Sequence, residues 1–295
     1  MTLYQATSAL QSQLVQLYDE REAANIAALV IEHVTGWKRI DRVLNKHSSL
    51  PAEQLALLEK DTAQLLQHRP VQYVLGEAWF WGMKFFVNEQ VLIPRPETEE
   101  LVDWILHDLK QAGRKSKPKI LDVGTGSGCL AIALKKEWPG AQMIACDVSR
   151  EALLVAGKNA AANAVQVDFL QTDFLQPEQR NRLPVVDVLV SNPPYIPIDD
   201  KKDMQPHVLQ YEPHLALFVE NNDPLIFYKA MAGFAKKHLL QGGALYAEIH
   251  EHMGQAVSEL FQAEGFRKVE VRKDLQGRER MVRALPSTEA GFNGP

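Results

Sequence analysis

Asn192, Pro193, Pro194 and Tyr195 are the residues of this chain whose types and spacing best suit chemistry on a small polar group. They follow Ser191 and the apolar run Val185-Val186-Asp187-Val188-Leu189-Val190, which reads as a buried strand. Neither proline has an N–H for a strand ladder, so the chain must leave the sheet at Asn192 in a stiff conformation. Open α/β sheets bind ligands just beyond the carboxyl ends of their strands. A side-chain amide, two rigid backbone carbonyls and an aromatic ring at that place suit a planar, neutral substrate bearing an NH2 group. A plain Pro-rich turn is the alternative that a Pro-Pro pair alone leaves open.

A second constellation precedes it. Gly124-Thr125-Gly126-Ser127-Gly128 lies between the strand-like Ile120-Leu121-Asp122-Val123 and a helix beginning at Cys129. Glycines at such a turn let backbone N–H groups approach a ligand closely. The G-x-G-x-G spacing departs from the G-x-G-x-x-G of dinucleotide sites, which weakens a nicotinamide reading. Asp147 ends the next expected strand, where an acid can hold ribose hydroxyls. Turn and acid in this order indicate a nucleoside-containing ligand. A tight strand-to-helix turn explains the glycines equally well but not Asp147.

The elements that must position these residues follow from periodicity. From Lys119 onward, apolar runs at 120–123, 142–146, 165–170, 185–190 and 243–249 alternate with helical patterns at 129–136, 151–163, 224–238 and 254–263. Two further strands are expected at 268–273 and 280–285. The alternation predicts an α/β fold, a mainly parallel, doubly wound sheet. Upstream, Pro96 with Glu97, Glu99 and Glu100 opens a helix that should end near Gly113, followed by a basic loop at 114–119. Residues 1–76 read as a small helical bundle, with Thr35-Gly36 as a stop and Pro51 in a first helical turn. The β-prone, aromatic stretch 77–93 is expected to be a hairpin linking the bundle to a catalytic domain at 94–295.

Composition narrows the class. A chain of 295 residues, 46% hydrophobic and 23% charged, has the balance of a soluble globular protein. It shows no signal-type segment and no apolar run of membrane-spanning length. Cys129 and Cys146 are not spaced as a redox or zinc pair and are expected to be buried free thiols, as suits a reducing cytoplasm. The formal net charge of −5 argues against a general nucleic-acid binder. The seven Lys and Arg residues between Arg267 and Arg283 read as a solvated face. His250 and His252 do not make a metal site without further ligands, and no metal is expected. His207, Tyr211-Glu212-Pro213 and His214 lie in a long loop after Tyr195, expected to shape the substrate entrance.

Asp122 to Gly128, Asp147, Asp173-Phe174 and Asn192 to Tyr195 together resemble the S-adenosylmethionine-dependent methyltransferases that act on amino nitrogens. Over nearly its whole length the chain is similar to the bacterial protein-(glutamine-N5) methyltransferases of the HemK/PrmC type, which modify peptide chain release factors. Arg69-Pro70 with Tyr73 and Gly76, Leu92 to Glu99, and Asp274-Leu275-x-Gly277-Arg278 carry that likeness. The resemblance implies a helical N-terminal domain that docks the substrate, a hairpin link, and a Rossmann-like catalytic domain with an antiparallel last strand. It implies that Gly124, Thr125, Gly126, Ser127 and Gly128 line the methionine part of S-adenosyl-L-methionine and that Asp147 holds the ribose. Phe174 would stand on the adenine, where the family often has tryptophan, and Asn192 would reach the methyl-donor end, covered by Glu97 and Thr98. S-adenosyl-L-homocysteine would be the product. On this reading the Asn192 oxygen and the Pro193 carbonyl accept the two N–H groups of a glutamine amide, while Tyr195 lies over it.

Three rivals stand beside this one. A nucleic-acid adenine amino methyltransferase would also use an Asn-Pro-Pro-Tyr stretch, but base flipping calls for a basic groove and usually a recognition domain. A ribosomal-protein glutamine methyltransferase is closer; the Arg95-Pro96-Glu97-Thr98-Glu99 stretch is more like the release-factor branch. A non-catalytic cofactor-binding scaffold would have no need of the acceptors at 192–195. The partners expected are therefore release factors, with no direct nucleic acid and no membrane.

Overall fold

The first two helices each carry an apolar stripe and bury it. The computed structural model describes residues 1–111, 117–204 and 206–286. Helix α1 (Leu3–Leu14) buries Leu3, Ala6, Leu10 and Leu14, spaced three to four apart. Thr2 and Gln5 close a capping box at its start. Helix α2 (Glu20–Thr35) buries Ala23, Ile26, Ala27, Val30, Ile31 and Val34, and stops on Gly36 at φ 69°. Helices α3 (Arg39–Leu44), α4 (Ala52–Leu65) and α5 (Val71–Leu75) follow. Pro51, expected in the first turn of α4, is instead its N-cap residue.

Strands β1 (Glu77–Phe80) and β2 (Met83–Phe86) make the hairpin. Its turn places Trp81 at φ 52° and Gly82 at φ 67°, the doubly left-handed geometry that matches strand twist in tight hairpins. Phe80 and Phe85 are buried and meet edge to face at 6.1 Å. The hairpin expected over 77–93 closes at Phe86. A turn follows, in which the Val91 N–H is spent on the Asn88 carbonyl.

Helix α6 (Pro96–Gln111) then leads into the sheet; the expected Gly113 cap and the first half of the basic loop, 114–116, lie outside the described residues. The remaining elements are β3 (Lys119–Val123), α7 (Cys129–Glu137), β4 (Gln142–Asp147), α8 (Arg150–Ala162), β5 (Asp168–Gln171), α9 (Pro177–Arg180) and β6 (Val186–Ser191). After them come β7 (Ile196–Pro197), α10 (Pro206–Tyr211), β8 (Phe218–Val219), α11 (Ile226–His238), β9 (Leu239–Glu248), α12 (Gly254–Ala263), β10 (Phe266–Lys273) and β11 (Glu279–Pro286). The seven-stranded sheet has the order β10-β11-β9-β6-β3-β4-β5. Strands β9, β6, β3, β4 and β5 run parallel, and β11 is inserted antiparallel between β9 and β10. This is the doubly wound α/β architecture the alternation predicts.

Two strand boundaries differ from expectation for local reasons. Strand β5 starts at Asp168, not Val165, because the Val165 N–H closes the end of α8 on the Ala160 carbonyl. Strand β9 starts earlier than Gly243, at Leu239, through an irregularity in its pairing with β6. A Cβ on Gly243 would lie 2.7 Å from Leu239 and the Leu240 carbonyl, so only glycine fits the kink. Cys146 is buried as expected, whereas Cys129, in the first turn of α7, is partly exposed; both are free.

The chain divides into two compact units. One holds residues 1–77 and takes in α10, whose Tyr211 hydroxyl donates to the Gln67 carbonyl at 2.8 Å. The other holds the hairpin from Ala78 and the sheet with its helices. Within the second unit, Asn159 on α8 is fully buried. Its oxygen accepts from the Phe86 N–H at 2.7 Å, and its NH2 donates to the carbonyls of Phe86 and Ser127, each at 2.9 Å. One side chain thus ties the end of β2 to the glycine turn. Asn159→Ala strands those backbone groups, each worth about 1–3 kcal/mol when left unpaired. The variant is expected to lose about 2–4 kcal/mol of stability, read as a lower urea midpoint with an unchanged slope.

Candidate active site

The ladder register brings the two sequence constellations to one edge. Val123 on β3 is level with Cys146 on β4 and with Ser191 on β6, and Ser191 is level with Ala247 on β9. The next residue on each strand is therefore Gly124, Asp147, Asn192 and Glu248, side by side at the carboxyl edge. The Ser191 hydroxyl donates to the Val123 carbonyl at 2.7 Å and locks the central pair. In the outlying strand, Thr172 N donates to the Asp147 carbonyl at 2.9 Å.

Gly124, Gly126 and Gly128 adopt φ of 67°, 53° and 82°, a region closed to most side chains. At Gly128 a Cβ would also press on Ile132 at 3.0 Å and Ala156 at 3.1 Å, so this glycine lets α7 and α8 approach. Thr125 and Ser127 are buried. The Thr125 hydroxyl donates to Asp122 Oδ2 at 2.6 Å, which makes its role the shaping of the turn. Asp147 accepts from Gly126 N through Oδ2 and from Ser149 N through Oδ1, both at 2.9 Å. Each oxygen keeps a second lone pair for an outside donor. Burial raises its pKa against these backbone bonds.

Asp122 was not singled out in the sequence beyond the motif it opens. It is fully buried, and among the described residues its Oδ1 has no hydrogen bond of ordinary geometry, the Ala131 backbone N–H being the nearest polar group that favours its charge. Burial, with the nearby Asp147 charge adding to it, pushes its carboxyl up to about 7. A weakly paired acceptor and carboxyls disfavoured in their charged form beside a glycine turn fit a ligand that brings N–H donors and positive charge. S-adenosylmethionine, with its ammonium and sulfonium groups, has that chemistry. Phe174 is only 4% exposed and meets Phe234 edge-on at 5.5 Å. What it offers an adenine is limited to that small remaining surface.

Asn192 is half-buried, Pro193 buried, and Pro194 and Tyr195 half-buried. The sequence missed what holds them. Glu248, 2% exposed, accepts from the Thr98 hydroxyl at 2.6 Å through Oε2 and from the Tyr195 hydroxyl at 3.1 Å through Oε1. Thr98 in turn accepts from Asn192 Nδ2 at 3.2 Å. The Tyr228 hydroxyl donates to the Glu248 backbone carbonyl at 3.0 Å. Burial raises the Glu248 pKa, which Thr98, Tyr195 and Arg280 counter. Burial likewise raises the Tyr195 phenol far above its ordinary value, with the Glu248 charge adding to it, so Tyr195 is neutral. Thr98 is thus placed at Asn192. Glu97 is half-buried and is reached by Gln276 at 3.5 Å. The one sequence signal for Glu248 was an acid ending an otherwise apolar strand.

The long loop after Tyr195 is closed at its base. β7 pairs with β8, and Ile196 N donates to the Leu217 carbonyl at 3.0 Å. Glu212, buried, accepts from Ile93 N at 3.2 Å and from Arg95 at 2.6 Å. His250 lies edge-on to Tyr195 at 6.1 Å, its pKa lowered by burial. His214 instead meets Phe218 at 5.3 Å, and His252 is exposed.

Known proteins were compared with this chain. Residues 5–76 match the family model of the PrmC N-terminal domain, and residues 102–210 that of the Methyltransferase small domain. The release factor glutamine methyltransferase of Flavobacterium psychrophilum is 43% identical over 270 residues, 92% of this chain and 94% of that protein. The protein of the same name from Bacteroides thetaiotaomicron is 38% identical over 278 residues, covering 94% and 98%. Among solved structures, the hMettl16 catalytic domain in complex with MAT2A 3'UTR hairpin 6 superposes with a TM-score of 0.56 at 17% identity, over 82% of this chain and 84% of that one. That likeness is one of fold.

The buried Asp122 gives a pH dependence with a defined sign. Its pKa is about 7 in the folded state against 3.8 for the free group. Between those values the folded state holds a proton that the unfolded state has lost, so this group's contribution to stability falls as pH rises and is level above pH 7. Asp122→Asn is expected to remove that contribution. Denaturant titrations of ligand-free protein at several pH values should give a shallower decline than wild type across the same window.

Proposed function

The chain belongs to the release factor glutamine methyltransferase family, and from that premise we propose that it methylates the side-chain amide nitrogen (N5) of the glutamine in the Gly-Gly-Gln motif of class 1 peptide chain release factors. The single observation carrying the reading is the Asn192 carboxamide, fixed by its NH2 at the carboxyl edge of the sheet, beside the glycine turn and Asp147. S-adenosylmethionine, when bound, supplies a methyl group already activated on a sulfonium. The turn from Gly124 to Gly128 would hold its methionine part, Asp122 and Asp147 its amino and ribose groups, and Phe174 the edge of its adenine.

What remains for the protein is to make a poor nucleophile attack. An amide nitrogen has its lone pair delocalised into the carbonyl. The Asn192 oxygen accepts one substrate N–H and the Pro193 carbonyl the other, which orients the nitrogen and favours a pyramidal geometry. Tyr195 covers the flat amide and excludes water, held by Glu248. No side chain at this centre serves as a base: as the N–C bond forms, the S–C bond of the donor would break to leave S-adenosyl-L-homocysteine, and the nitrogen, then cationic, gives its proton to water. The helical unit at 1–76 serves as the docking domain for the release factor, in the cytoplasm, with no part for nucleic acid or membrane. No helix among the described residues is long and apolar enough to cross a membrane.

Labelled S-adenosylmethionine tests the substrate, offered with a release factor, its Gln→Ala variant and duplex DNA in parallel. Label is expected on the first alone; label on DNA, or equal label on both release factors, overturns the reading. Asn192→Ala is expected to lose roughly 3–4 kcal/mol of transition-state stabilisation, by analogy with removal of one preorganised polar contact. Single-turnover rates measure this, with cofactor binding changed much less. Near-normal turnover would sink the assignment.

A further inference from the structure

A carboxamide presents either an acceptor or a donor, depending on which way round it sits, and the two faces have nearly the same shape. The reading above needs Asn192 to turn its oxygen outward. We propose that Glu248 is the positioning residue that decides this, through Thr98, and that it sets Tyr195 at the same time.

The argument is one of proton counting. A carboxylate only accepts hydrogen bonds, and a hydroxyl has a single proton to give. Thr98 gives its proton to Glu248 Oε2 at 2.6 Å. Its oxygen can then only accept, so the group facing it at 3.2 Å must be the Asn192 NH2. The Asn192 oxygen is thereby turned away from Thr98 and left for the substrate. With a donor in place of the Glu248 oxygen, Thr98 would turn its proton toward Asn192, and the amide would be held the other way round. The other carboxylate oxygen takes the only proton of Tyr195 at 3.1 Å, which fixes the ring without making it an acid. The carboxylate is itself held in place, since Tyr228 on α11 bonds its backbone carbonyl at 3.0 Å. Arg280 on β11, paired with Asp274 at 3.2 Å, supplies positive charge that favours the ionised form. Glu97 on α6 is the opposing negative charge. Thr98 and Glu248 stand 150 residues apart and Asn192 and Thr98 stand 94 apart, so the relay exists only in the fold. Glu248 makes no contact with substrate on this account; it acts through the two groups that do.

This inference rests on the role proposed for Asn192, and the test separates the two. Methyl transfer to a release factor is measured at saturating concentrations of both substrates, with cofactor affinity and thermal midpoint recorded for every variant. Glu248→Gln keeps the shape but replaces one acceptor with a donor, and Thr98→Val keeps the shape but removes the hydroxyl. Each is expected to lower kcat by up to about 100-fold, the scale set by misplacing a reacting group, with little change in cofactor affinity. Thr98→Ser, which restores a hydroxyl, should recover most of the turnover lost in Thr98→Val. In an Asn192→Ala background, Glu248→Gln should cost much less than it does in wild type, because its route through Thr98 is gone and only its hold on Tyr195 remains. If Glu248→Gln does not fold, the Thr98→Val and Thr98→Ser pair carries the test alone. Wild-type kcat in folded Thr98→Val, no rescue by serine, or full additivity of Glu248→Gln with Asn192→Ala each overturns the relay. Asn192→Ala with normal turnover overturns the underlying reading instead, whereas an inactive Asn192→Ala beside a normal Thr98→Val removes only the relay.

Discussion

Taking a carboxylate out of water costs several kcal/mol unless donors or positive charge replace the lost hydration. The carboxyl edge of this sheet carries that cost three times, at Asp122, Asp147 and Glu248. Each is relieved differently. Asp147 is met by two backbone N–H groups, and Glu248 by two hydroxyls with an arginine nearby. Asp122 is met by one hydroxyl, with the Ala131 backbone N–H as weaker support. The least compensated acid is thus the one beside the glycine turn, where a cationic ligand would do most to stabilise it. Glu248, met by side-chain hydroxyls, supports the Asn192 amide through Thr98. Stability given up in one place and precision gained in another share a single physical origin.

How much of this the sequence discloses depends on how far apart the partners lie. The glycine turn, Asp147 and the 192–195 stretch are local patterns, each following an apolar run whose period marks a strand, so both their presence and their edge of the sheet can be read. The alternation of strands and helices, and the hairpin at Trp81-Gly82, are local too. Thr98 was read as a cover for the methyl-donor end, but its hydroxyl bridge between Asn192 and Glu248 joins three separate elements. Asn159 looked like one more residue in an alanine-rich helix, although it joins the hairpin to the glycine turn across 73 residues and 32 residues respectively. Periodicity cannot report such pairings. A polar residue at the end of an apolar run, as at Ala247-Glu248-Ile249, is the nearest thing to a signal, because an acid buried there must find partners somewhere.

The same distinction explains the errors at element ends. The start of β5 depends on where α8 spends its last carbonyls, and the start of β9 on a kink that only Gly243 fits. For Phe174, to which the resemblance assigns a place on the adenine, the ring meets Phe234 edge-on in the core. Side-chain direction at a strand end is set by what fills the space beneath, which lies in α11.

The loop that leaves Tyr195 is pinned at its base by the β7–β8 bridge and further along by the Glu212 anchor on Ile93 and Arg95 and by Tyr211 on Gln67. Chain between the pins can drift, lengthen or shorten over evolutionary time at a modest entropic charge, since closure cost grows only with the logarithm of length. The stretch from Asn192 to Tyr195 lies upstream of these anchors, so a change of length beyond them need not move it.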